Sequence, residues 1–82
     1  MNFYLDECEN AIIRASENMA VYQWLKQHGT KVDLAKRAGA VIESIDCAKR
    51  MLQKQRAENP QNTGDCEKQI AELQLQWAFL QL

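Results

Sequence analysis

Apolar residues recur along this chain at spacings of three and four. Leu5, Cys8, Ile12, Ala15, Met19 and Tyr22 form one run, and Leu34, Ala38, Val41, Ile45, Ala48 and Leu52 a second. Cys66, Ile70, Leu73, Trp77 and Leu80 form a third. Residues three and four apart share one side of an α-helix, so each run reads as a buried seam. No period-two alternation suggests a strand. Two breaks divide the runs: Gly29, and the stretch Asn59-Pro60-Gln61-Asn62-Thr63-Gly64. The pattern predicts an all-α single domain with three helices, over about 3–27, 31–58 and 65–81. Helices 2 and 3 are expected to form a long antiparallel hairpin, because their connection fits the usual length between packed helices. Oligomerisation is expected to complete the fold.

Local signals sharpen the boundaries. Gly29 is placed to stop helix 1 in a left-handed conformation that glycine adopts without strain. Thr30 is a fair cap for helix 2, and Asp33 stands where the acid of a capping box would. Pro60 disfavours helix at the residue before it, which ends helix 2 near Glu58. Thr63 and Asp65 are both fair caps for helix 3. Asp33 with Arg37, Asp46 with Arg50, and Lys54 with Glu58 are spaced as ion pairs along the surface of helix 2.

Helix 3 carries a second apolar set on the side opposite its seam. Ala71, Leu75, Ala78, Phe79 and Leu82 lie there, and Gln69, Gln74, Gln76 and Gln81 fall between the two faces. A helix that is apolar on opposite sides is usually buried on both. Helix 1 repeats the feature more weakly, with Ile13, Ala20 and Trp24 about a quarter-turn from its seam. Full burial of a Leu or Phe is worth about 1.5–3 kcal/mol, so leaving these residues in water would forgo several times that amount. Ile13, Trp24, Ala71, Leu75, Ala78, Phe79 and Leu82 are therefore the candidate interface residues.

Composition changes the picture in few respects. A chain of 82 residues is short enough that self-association would supply core area the monomer lacks. The net charge of −1 favours neither a polyanion nor a polycation as partner. Cys8, Cys47 and Cys66 are an odd number without close pairing, which suits reduced thiols in the cytoplasm better than a disulfide framework. Cys8 and Cys66 lie on seams and read as small core residues. Cys47 lies off its seam, near Lys49 and Arg50, and reads as an accessible thiol. No stretch approaches a membrane span, and the acidic N-terminal residues do not resemble a signal peptide.

Candidate chemistry is sparse. There is no metalloprotease HExxH, no glycine-rich phosphate loop and no GxSxG. The single histidine, His28, ends helix 1, where a hydrogen-bonding or cationic side chain suits the helix dipole. Asp6, Glu7 and Glu9 suit the first turns of the same helix and need no metal to explain them. The expectation is a non-enzyme without cofactor or metal.

One segment offers a competing reading. Residues 31–48 resemble the helix-turn-helix of Cro-like repressors, with Ala35, Gly39 and Ile45 at the small, glycine and aliphatic positions. That resemblance implies a DNA-binding dimer with a recognition helix from about Val41. Lys36, Lys49, Arg50 and Lys54 are then the candidate nucleic-acid contacts. Residues 31–58 hold seven basic and four acidic side chains, against two and four in residues 1–29. Against the resemblance, Val41 and Ile42 look like core where such a motif is polar. The unbroken seam from Leu34 to Leu52 also suits one continuous helix, in which Gly39 would permit close helix approach.

The leading expectation is a small helical protein–protein interaction module, binding itself and another protein. Its size and lack of chemistry match the accessory proteins of phages and mobile elements that inhibit or retarget a host protein. The Cro-like regulator ranks second. An oligomer that binds a small ligand between protomers ranks third.

Overall fold

A computed structural model describes residues 3–60 and 63–82. Among the described residues it is all-helical: α1 spans Phe3–His28, α2 spans Lys31–Glu58 and α3 spans Gly64–Leu80. The molecule is a rod of 43 × 18 × 14 Å.

The most extensive packing joins α1 to α2. Their contacts pair Cys8 with Ala48, Arg14 with Cys47, and Asn18 with Ser44 and Arg37, so the two helices run in opposite directions. Small side chains make this approach close. Cys8, Ala11, Ala15 and Ala48 are completely buried, and the Cys8 thiol donates to the Ala48 carbonyl at 3.4 Å. Larger residues fill the space towards α3: Met19, Ile45, Leu52, Ile70 and Leu73. Each such side chain contributes about 1.5–3 kcal/mol on burial.

Helix α3 closes the remaining side. The Tyr22 and Trp77 rings meet edge to face at 4.8 Å, and Lys26 Nζ donates to the Leu80 carbonyl at 2.8 Å. That lysine places a cation at the C-terminal end of α3, where the helix dipole is negative. Arg56 pairs with Glu67 across the α2–α3 junction. The α2–α3 contact is nevertheless the smallest of the three, so the expected long hairpin of helices 2 and 3 is not the main pairing. The reason is length. With 17 residues against 28, α3 leaves the first turns of α2 uncovered, and Leu34 and Ala38 are only half-buried there.

Both glycine expectations change. Gly29 does not take the left-handed conformation. A Cβ there would lie 2.7 Å from Leu25 Cδ2 and 3.0 Å from the Leu25 carbonyl oxygen, so close packing on the preceding turn selects glycine. Gly39 is exposed in mid-helix, and a Cβ there would meet nothing within 4 Å, so it serves no close approach. Ile42, expected in the core, is exposed.

The caps also differ. Thr30 and Asp33 form a reciprocal capping box, each side chain accepting from the other's backbone N–H at 3.1 Å. The bond from the Thr30 backbone holds the Asp33 carboxyl below its ordinary range. Thr63 precedes α3 without capping it, and its hydroxyl bonds Pro60 and Glu67 instead. Arg37 bonds Asn18 rather than Asp33, and Lys54 lies over the Tyr4 ring. Gln61 and Asn62, within the connection before α3, fall outside the described residues.

Candidate interaction surface

The seam of α3 is spent on the core. Cys66, Ile70 and Leu73 are buried, and Trp77 and Leu80 pack against them. Its opposite side meets no other helix. Leu75 is 60% exposed, Phe79 64% and Leu82 93%, with Ala71 and Ala78 also exposed between them. The two-sided pattern therefore has a definite outcome: one side holds the bundle together and the other stands in solvent. A continuous apolar strip of this kind marks an interaction site more often than an ordinary surface.

The strip runs into a groove. Phe79 forms one wall of a depression of about 450 Å³ between α1 and α3, with Ser16, Ala20 and Gln23 opposite and Met19 and Leu80 at its base. Ala20 thus extends the apolar surface of α3 onto α1. This link was hard to see in the sequence, because Ala20 and Phe79 are far apart along the chain.

Trp24 and Ile13 do not join that strip. Trp24 is exposed, stacks on His28 with ring centroids 4.6 Å apart, and lines a different groove between α1 and α2 with Val21 and Lys36. Ile13 is exposed eleven residues before it, on the same stripe of α1. The seven candidate residues therefore divide into a larger α3 surface and a smaller α1 stripe.

The basic residues of α2 are similarly divided. Lys36 and Arg50 border α1, in successive grooves, while Lys49 borders α3 with Gln53 and Gln74. Helix α2 runs without a break through Gly39, so residues 31–48 contain no turn between two short helices. The helix-turn-helix geometry that would present Lys36, Lys49, Arg50 and Lys54 to DNA is absent from this segment. Propagation of a helix through a single exposed glycine costs only about 1 kcal/mol, which the seam residues Val41, Ile45 and Ala48 offset.

A polar ladder fills the α1–α2 groove. Arg37 donates to Asn18 at 2.8 Å, Asn18 donates to Ser44 at 3.3 Å, and Arg14 approaches the Cys47 sulfur at 3.6 Å. Ser44 also donates to the Ala40 carbonyl, so this largely buried hydroxyl is satisfied. No local spacing signals these partners. The neighbour of Cys47 is Arg14, from the other helix, rather than the Lys49 expected from sequence proximity.

All three cysteines are free thiols. Cys8 and Cys66 are buried side by side, and Cys47 is half-buried. Burial, reinforced by the neighbouring Cys66, pushes the Cys8 thiol up to about 12, so it is no nucleophile near neutral pH. Among the described residues, no His, Cys, Asp and Glu side chains gather as a metal-binding group. No described helix is long and apolar enough to cross a membrane. Compared with family models, curated proteins and solved structures, the chain matches none.

Proposed function

We propose that this protein is a helical interaction module that works by pairing the outer side of α3 with a protein surface. The observation that carries the reading is the exposure of Leu75, Phe79 and Leu82 on a helix whose other side is already fully used in packing. Phe79 is the natural anchor, because aromatic side chains at the centre of an interface carry much of its binding energy. The glutamines beside the strip supply a polar rim. Biological output in this reading is a change in the bound protein, as for an accessory factor that modulates a host protein. Free thiols at Cys8, Cys47 and Cys66 suit a reducing, cytoplasmic setting.

The test is a double substitution, Leu75→Asp with Phe79→Asp. Both side chains are mostly in solvent, so far-UV circular dichroism should keep its helical signal. A tagged form should lose the protein it captures from native lysate, or lose self-association, while the unmodified protein retains it in the presence of nuclease. Loss of helicity would mean that these residues are core, and the reading would be wrong.

A further inference from the structure

Resting on that reading, we infer that the occupant of the α3 strip is a second copy of the same helix, packed antiparallel about a two-fold axis at Leu75. Ala71, Leu75, Ala78 and Leu82 form a stripe with spacings of four, three and four, with Phe79 alongside. Along it small and large side chains alternate. An antiparallel copy centred on Leu75 sets each position against the one equally far on the other side. Leu75 then meets Leu75 of the second copy, and Phe79 covers Ala71. Leu82 lies along the methylene stem of Lys68, whose ammonium stays in water. Large opposite small is how packed helices fill space without voids.

The parallel alternative fails on two counts. It places Lys68 against Lys68 and Glu72 against Glu72, opposing like charges at both ends. It also sets Phe79 against Phe79 and Ala71 against Ala71, crowding one level and leaving a gap at the other.

Surface area supports a second copy as the occupant. The chain exposes 5643 Å². A compact monomer of 9.5 kDa exposes roughly 5,000 Å². The surplus, roughly 600 Å², approaches the ~800 Å² that each partner contributes to a standard interface. The predicted dimer is therefore small and reversible, forming at tens of micromolar or above by this order-of-magnitude reasoning.

Cysteine cross-linking tests both occupant and direction. In a Cys47→Ser background the remaining native thiols, Cys8 and Cys66, are buried. Leu75→Cys is oxidised with oxidised glutathione, which accepts the two electrons and leaves as two thiols. The expected product is a disulfide dimer of twice the monomer mass. Lys68→Cys should give none, because antiparallel packing separates its two copies by about 21 Å along the axis, and a disulfide needs Cα atoms within about 7 Å. Dimers from both variants would overturn the antiparallel arrangement. Dimers from neither, with the Cys47→Ser protein sedimenting as a monomer at high concentration, would overturn the second copy as occupant. The broader reading is judged separately, by whether Leu75→Asp with Phe79→Asp releases a captured protein.

Discussion

Replacing Gly39 with alanine adds one methyl group to the solvent side of α2. The new Cβ would meet nothing within 4 Å, so no packing is disturbed and no contact is gained. What changes is the backbone. Glycine in a helix interior is less favourable than alanine by about 0.5–1 kcal/mol, because it loses more conformational freedom on folding. Gly39→Ala should therefore stabilise the protein by about that amount. In a domain of this size 1 kcal/mol moves the midpoint of thermal unfolding by about 4–8 °C. Thermal and urea unfolding followed by circular dichroism measure it, with the urea slope unchanged. Gly29→Ala should move the opposite way, because its Cβ would press on Leu25. A Gly39→Ala protein that is unchanged or less stable would refute the reasoning. It would mean either a turn near residue 39 or a surface covered by something that requires glycine.

Other perturbations follow from the same contacts. Thr30→Ala removes the hydroxyl that accepts from the Asp33 backbone and should cost about 1 kcal/mol in urea unfolding. The Asp33 carboxyl is depressed in the folded state, so its contribution is present above the unfolded carboxylate pKa and is lost as pH falls through the folded value. A pH series of unfolding curves should show that acid-side loss shrink in Asp33→Asn. The Cys8 thiol is raised to about 12, so its contribution is full below the unfolded thiol pKa and is lost as pH climbs from there towards about 12. Unfolding curves of Cys8→Ala should lack that alkaline slope. Asn18→Ala should cost about 1–2 kcal/mol by leaving Ser44 and Arg37 without their bridging partner. In the native protein a thiol reagent should modify Cys47 well before Cys8 and Cys66, as read by intact mass.

Much of the helical framework was legible because its signals are local. Seam spacing marks the faces of α1, α2 and α3, and the Thr30–Asp33 capping box lies within four residues. The sequence pattern also showed that α3 is apolar on two sides. What it could not show was how those sides are used, since burial depends on residues distant in the chain. Gly29 illustrates the point: its position suggested a left-handed cap, whereas contact with Leu25 is what excludes a side chain. The Arg37–Asn18–Ser44 ladder left no trace in local spacing. The Ala35–Gly39–Ile45 resemblance failed because three positions do not encode a turn when Val41, Ile45 and Ala48 carry one seam through them. The division of Ile13 and Trp24 from the α3 strip follows from the rotation of α1, which its seam fixes only relative to its neighbours in three dimensions.

The central claim is that the outer side of α3 is where this protein binds, and amide chemical shifts recorded over a dilution series, and then with any captured partner, test it most directly. The account predicts shifts centred on Ala71, Leu75, Ala78 and Phe79, absent from the Leu75→Asp with Phe79→Asp variant. Shifts centred instead on Lys36, Arg50 and Lys54 of α2, with α3 unmoved, would contradict it.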